Sequence, residues 1–534
     1  MVAKNGPLQS DKLRLSGAQA SHAQFIESSA EAAAVRRAAI ELQAVGVLAL
    51  AGVFSVLIYV LAFVRPYGLL QYWQQPLLDL QKLAKWLPDG RWELAVALAA
   101  QGSLYFVGWQ AARRVRSRAG WAVVLGVAVA MGAVLLFLLP FDAADIFDNI
   151  MHGRILGLYH QNPFLSVGAQ YAGDPFLPYM AWPFAPSAYG PFWEVLAGLT
   201  ARLAGNGILA NVFAFKLLGA FFLAASVGLV AAILRQTAPQ RALAGVLLLA
   251  WNPVILYETI GHGHNDIVMV FWVLAAARGL LNRRYTLAIL ALVAGALVKF
   301  IPILFLPAAG LIALRDLADN RARLRFLGIT AAATAILVVL AYGPFWQGLQ
   351  TLTIDRRETM LTTSLPAFVW ALLQGAGQVG PGNAGTAAKL ISEAAAGLTA
   401  LYALWEGVRA WRDRSWLSFS RSALHVSLFY LLVTCVWYQN WYTVWPLALV
   451  ALFPPGYELA LGQIVGFGGL AKPLVFAPAF LWRKPFPTQV WRELRLGPAV
   501  LSVSWVAGLY VTFVAWRTHR GAHATVPLPR RWGS

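Results

Sequence analysis

The chain has 534 residues, of which 59% are hydrophobic and only 12% charged, with a mean hydropathy of +0.61. About a quarter of a soluble domain is charged, so half that fraction, with apolar blocks along most of the length, means that lipid is the main solvent. The net charge of +19 would suggest nucleic acid in a soluble protein, but the basic residues here fall in short loops between apolar blocks, as the positive-inside bias produces, and no reader motif accompanies them.

In chain order, residues 1–43 are polar and Ala-rich and carry Lys4, Lys12, Arg14, Arg36 and Arg37; they read as a cytoplasmic tail and not as the apolar region of a signal peptide. Apolar blocks from Val45 to Val64, Leu94 to Ala111 and Trp121 to Leu139 are the first candidate spans, since a crossing helix needs about 20 apolar residues. Between the second and third lies a cluster of Arg113, Arg114, Arg116 and Arg118, which orients that turn, and both termini, to the cytoplasm. Arg235 with Arg241, Arg278 with Arg283 and Arg284, Arg315 to Arg325, and Arg409 to Arg421 fall on the same side, as do Arg517, Arg520, Arg530 and Arg531 in the tail. The expectation is an all-α polytopic membrane protein of roughly 12–14 helices. A core over 44–450 is followed by C-terminal helices over 451–517 and a cytoplasmic tail over 518–534. No internal repeat is visible. Cys435, the single cysteine, lies in an apolar run and reads as packing; it excludes a disulfide within the chain and a cysteine-based metal site.

This topology leaves outer segments near 65–91, 141–190, 258–266, 345–366 and 437–443, and four of these hold the unusual residues. In the loop 141–190, Asp142, Asp145 and Asp148 recur at a spacing of three, which on a helix places them on one face. Clustered carboxylates repel unless a cation or proton relieves them; a solvated acidic loop is the plainer alternative. Arg154 follows, either a salt-bridge partner or a fork for phosphate oxygens. Trp182, Tyr189 and Trp193 suit an interfacial belt or a stacking surface for a sugar. His262, His264, Asn265 and Asp266 offer polar groups at a helix start, where N–H groups favour anions; a divalent metal there lacks a visible third ligand cluster, and none is predicted. Lys299 interrupts an apolar run, which marks either a functional ionisable group or a snorkelling one. Arg356 and Arg357 are basic residues in an outer loop, against the general bias; they suit anion binding or a local network with Asp355 and Glu358.

Several of these segments together carry a resemblance. Asp145-Ile-Phe with His152-Gly153-Arg154, then Asn162-Pro163-Phe164, then Trp182 and Pro186 to Trp193, resemble the first outer loop of the bacterial polyprenol-phosphate-mannose-dependent α-mannosyltransferases of the GT-C glycosyltransferase superfamily. Trp251-Asn252-Pro253 with His264-Asn265-Asp266, Lys299 in its apolar segment, and Tyr438 to Pro446 resemble later elements of that family in the same order, over roughly residues 120–450. Asp148 stands where the family commonly has Ser, and Gln439-Asn440 replaces its usual Pro. The resemblance implies a GT-C-like bundle in the plasma membrane with outer catalytic loops. It implies a polyprenyl-phosphate sugar donor, mannose as the sugar, a lipid-linked or cell-envelope glycan acceptor, and Asp145 as catalytic carboxylate, with Asp148 as the alternative. A base of this kind contributes about 10²–10⁴-fold, and displacement from the opposite face inverts the anomeric carbon. Arg154, His264, Asn265, Asp266, Lys299, Arg356 and Arg357 are then the candidates for donor phosphate or sugar. Trp182, Tyr189, Trp193, Tyr438 and Trp441 are candidates for stacking. No cofactor is implied. A secondary transporter is the competing reading; it predicts charges spread along the spans, whereas the acids here gather in outer loops.

Overall fold

The computed structural model describes residue 32 and residues 35–77, 90–141, 143–352, 360–472 and 489–524. These are helical almost throughout; among the described residues strand-like pairing is confined to two isolated bridges, Gly68 with Leu138 and Thr362 with Trp437. The helices are α1 (Val35–Val64), α2 (Gly90–Ala112), α3 (Arg118–Leu135), α4 (Asp145–Gly157), α5 (Pro191–Ala204), α6 (Ile208–Thr237), α7 (Pro239–Ala250) and α8 (Pro253–Gly261). They continue as α9 (Asp266–Leu281), α10 (Tyr285–Ala296), α11 (Leu306–Asp316), α12 (Asn320–Tyr342), α13 (Leu365–Gly375), α14 (Ala384–Arg412), α15 (Ser418–Phe429), α16 (Val444–Val450), α17 (Tyr457–Gly468) and α18 (Gln489–Ala524).

Among the described residues, six helices are long and apolar enough to cross a membrane: α1, α3, α6, α12, α14 and the stretch 490–515 of α18. The bent pair α7–α8 makes seven. The protein is an all-α polytopic membrane protein, as composition implied. The larger expected number counted every apolar block, and several blocks form shorter helices, such as α10 and α13. α1 begins at Val35, inside the stretch read as tail, and α18 runs on to Ala524, past the expected start of the last tail.

Burial separates the lipid-facing helices from the central ones. In α12 only Phe326 and Thr330 are buried, whereas residues 242–250 of α7 and all of α16 are buried. Three local devices set the geometry around the loop 141–190. Lys216 on α6 is fully buried and donates to the carbonyls of Leu135, Leu136 and Leu138, so it satisfies the orphan acceptors at the C-terminus of α3 and complements its dipole. α4 lies against α5 so closely that a Cβ on Gly153 would fall 2.5 Å from the Ala197 carbonyl oxygen, and one on Gly157 2.2 Å from that of Gly198. The Asn-Pro pair breaks the α7–α8 span by 43°. Asn252 caps the restarting helix by accepting from Val254 and Ile255 N–H at 3.0 and 3.2 Å, and Pro253 occupies its first turn, where no N–H is missed.

Candidate active site

The loop after α3 is folded on itself by its own motif residues. Ser187 N–H donates to the Pro163 carbonyl at 2.9 Å, joining the Asn-Pro-Phe and Pro-Ser-Ala-Tyr-Gly-Pro segments. Asn162 accepts from Phe164 N–H and donates to the Phe345 carbonyl. Ser187 Oγ donates to Glu194 Oε1 at 2.5 Å; Glu194 is fully buried, and that burial pushes its carboxyl up to about 8. The return of the loop then docks on the segment after α10. Gly190 and Phe192 N–H donate to the carbonyls of Val298 and Leu297, each at 3.0 Å, and a Cβ on Gly190 would sit 2.2 Å from the Leu297 oxygen. Only glycine permits that approach, which brings Tyr189 beside Lys299.

The result is a cavity of about 310 Å³ lined by Asp145, Lys299, Gln439 and the aromatic side chains of Trp182, Tyr189, Tyr430, Trp437, Trp441, Tyr442 and Trp445. Asp145 opens α4 and is half-buried. In the same cavity wall, Lys299 Nζ stands 5.3 Å from the ring centres of both Tyr189 and Tyr442, within cation–π range. Its counter-ion is Asp266, with Oδ2 at 2.6 Å; the other oxygen of Asp266 accepts the Trp445 indole N–H at 2.5 Å. Lys299 is therefore held at the cavity wall, its side chain 11% exposed.

The two described aspartates of the trio do different work. Asp148 is buried and accepts from the backbone N–H of Ala181 and Trp182, at 3.2 and 2.9 Å. It clasps the loop and positions Trp182, whose ring lies 6.1 Å from that of Trp437. Asp145 alone of the two lines the cavity. Asp142, like Arg356 and Arg357, lies outside the described residues.

Other candidates do not line the cavity. Arg154 is 1% exposed; its guanidinium binds Asp174 at 2.8 Å, the Gly205 carbonyl at 2.8 Å and Asn206 at 3.0 Å, and lies over Phe176. With its fork engaged in this way, it braces the loop against α5 instead of facing the cavity. Trp193 is buried and donates to Asn149. Tyr438 is buried beside the Thr362–Trp437 bridge. The His-Asn-Asp triplet opens α9, but His264 and Asn265 are buried. His264 stacks under Trp441, 4.0 Å between centres and 14° between planes. Burial, followed by the nearby charges of His262, Lys299 and Lys472, holds its imidazole far below the usual range, so it is a neutral support for the Trp441 ring. Its Nε2 lies 3.5 Å from Glu258 Oε2, and Asn440 donates to Glu258 Oε1 at 2.6 Å. Among the described residues no group of three His, Cys, Asp or Glu side chains is arranged for a metal ion.

The structure also brings in residues that the sequence did not single out. Lys472, beyond α17, donates to the Tyr438 carbonyl at 2.7 Å and to Gln439 Oε1, and lies 5.9 Å from the Trp441 ring centre. Glu493 on α18 accepts from Thr362 Oγ1 and Thr363 N–H, and so fixes the segment that bridges to Trp437. Tyr430, Trp437, Tyr442 and Trp445 complete the aromatic wall.

A cavity with one carboxylate, one ion-paired lysine and an aromatic wall, set at one end of a helical membrane bundle, suits a membrane enzyme that handles a sugar and an anionic group. The family comparison agrees. The alpha-(1->6)-mannopyranosyltransferase N-terminal domain family matches residues 35–315, more than half of the chain, and the protein belongs to this mannosyltransferase family. The matched region contains Asp145, Tyr189, Asp266 and Lys299. No curated protein matches the chain.

Proposed function

We propose that the protein transfers a mannosyl group from a polyprenyl-phosphate donor to a lipid-linked or cell-envelope glycan on the extracytoplasmic face of the plasma membrane, with inversion at the anomeric carbon. The observation that carries this reading is the shared cavity of Asp145 and Lys299. Asp145 takes the proton of the acceptor hydroxyl as that oxygen attacks the anomeric carbon. The bond from the anomeric carbon to the phosphate oxygen breaks on the opposite face, and the phosphate leaves carrying the bonding electron pair. Lys299 stabilises the developing charge on that phosphate, a role suited to an ammonium already fixed in place by Asp266. The aromatic wall offers Trp182, Tyr189 and Trp441 as faces for the sugar ring. Asp148, clasped to the loop backbone, acts through the position of Trp182. The arginine turn between α2 and α3 lies at the far end of α3 from Asp145, and the positive-inside bias puts that turn in the cytoplasm.

The test is transfer of radiolabelled mannose by membranes containing the protein, from polyprenyl-phosphate mannose and, separately, from a nucleotide-linked mannose. Transfer from the lipid donor alone is expected. Transfer from the nucleotide sugar alone would replace the proposed donor, and transfer from neither would remove the reading.

A further inference from the structure

At the opposite end of the bundle from the cavity lies a second concave site. Two elements run from one towards the other: α3, which begins beside Arg116 and leads to Asp145, and the bent pair α7–α8, from Arg241 towards His264. Eighteen residues of α3 at 1.5 Å each separate the two ends by about 27 Å. This second pocket has a volume of about 210 Å³ and is lined by Arg113, Arg116, Gln240, Arg241, Trp109 and Phe453, among others, with no acidic residue in its wall.

The arginines here differ from Arg315 and Arg421, which sit in other basic loops. Arg315 is spent on Asp316 and on the carbonyls of Ala410, Trp411 and Asp413, and Arg421 on Asp413 and Glu458. In the pocket, Arg113 makes one hydrogen bond to Gln110 at 2.7 Å and stacks over Trp109. Arg116 uses Nε on Gln240 and one terminal nitrogen on the Val115 carbonyl. Arg241 is half-buried, and its side chain makes no hydrogen bond among the described residues. The carboxylate that approaches them, Glu41, accepts from the backbone N–H of Arg116 and Ser117 at 2.6 Å each. A guanidinium has five N–H donors, so most of the donors of the trio remain available around a cavity with no acidic residue in its wall.

We propose that this pocket binds a phosphate-bearing anion. Planar guanidinium forks match phosphate oxygens, and a basic pocket between helix ends at this membrane face suits an anionic headgroup. The volume is below that of the usual small-molecule pocket, about 300–1,000 Å³, which fits a single phosphate group better than a nucleotide. The phosphodiester of an anionic phospholipid and free phosphate share this chemistry. The site is separate from the transferase cavity and does not rest on the proposed donor or acceptor.

The experiment measures thermal shifts of the purified full chain in detergent with cardiolipin, with phosphatidylcholine and with inorganic phosphate. It compares wild type, R113Q/R241Q, R113K/R241K and the charge-matched control R321Q/R325Q. Stabilisation by cardiolipin but not phosphatidylcholine is expected, with at least tenfold weaker binding in R113Q/R241Q, an intermediate loss in R113K/R241K and none in the control. The same pattern with inorganic phosphate alone would support the site and assign it a soluble ligand. No shift with either anion, or a shift equal in R113Q/R241Q and in the control, would overturn the proposal. If R113Q/R241Q does not fold, R113K/R241K decides: binding equal to wild type contradicts recognition by guanidinium forks.

Discussion

Replacing Asp266 with Asn tests how Lys299 is held. The substitution keeps an oxygen for the Trp445 indole but removes the charge 2.6 Å from the Lys299 ammonium. At an effective dielectric of about 20, that pair has a gross Coulomb energy near 6 kcal/mol. Desolvation of both charges offsets part of it, and losing one partner of a buried pair costs about 3–5 kcal/mol. Because Lys299 stands at the rim of an open cavity, we expect a loss near the lower end, about 3 kcal/mol. Asp266→Asn, Lys299→Met and the double variant, compared by chemical or thermal unfolding in detergent, form a double-mutant cycle. The double variant should be less destabilised than the sum of the singles by at least about 2 kcal/mol, because removing both charges leaves neither buried alone. Additivity within about 0.5 kcal/mol would refute the claim that Asp266 holds Lys299 by charge.

Asp148→Ala leaves the Ala181 and Trp182 N–H groups without their carboxylate and should cost about 3 kcal/mol, at roughly 1.5 per charge-assisted bond, read as a fall in unfolding temperature; an unchanged temperature would remove its role as a clasp. Glu194 gives a pH dependence of defined sign. Its folded carboxyl is raised to about 8, so the folded state binds the proton more tightly than the unfolded chain. Stability is then fully present below the ordinary carboxylate range near pH 4.5 and falls as pH rises through 8, by up to about 1.4 kcal/mol per unit. Glu194→Gln should flatten that decline, and an equal slope in both proteins would count against it. Gly190→Ala should push Tyr189 and the loop return away from Leu297 at a cost of about 1–3 kcal/mol and lower transfer activity; full activity and stability would contradict the close docking.

The spans were legible because lipid demands long apolar runs whatever the tertiary packing, and the Arg113–Arg118 cluster marked the turn between α2 and α3. Asp145, as one of three evenly spaced aspartates, and Lys299, as an ionisable residue in an apolar run, could be singled out from sequence, and both line one cavity. What could not be read was which polar residues consume one another. Arg154 looks like a phosphate ligand until Asp174, 20 residues on, is seen to occupy it. Asp148 and Asp145 are chemically identical in sequence, and only the turn that presents Ala181 and Trp182 N–H separates a clasp from a cavity carboxylate. Likewise, the Asn252-Pro253 pair carried family resemblance, and its physical content is a capped break in a buried span. The aromatic wall was half visible: Trp182, Tyr189 and Trp441 were singled out, but Trp437, Tyr442 and Trp445 look like any interfacial aromatic residues. Lys472 follows an apolar helix, where a lysine reads as a membrane-boundary residue, and nothing local connects it with Gln439.

The most direct test is the rate of mannosyl transfer from polyprenyl-phosphate mannose by Asp145→Asn, measured beside its unfolding temperature. The substitution removes the base and leaves the α4–α5 packing in place, so transfer should fall by about 10²–10⁴-fold while the protein stays folded. Wild-type transfer by that variant would contradict the account.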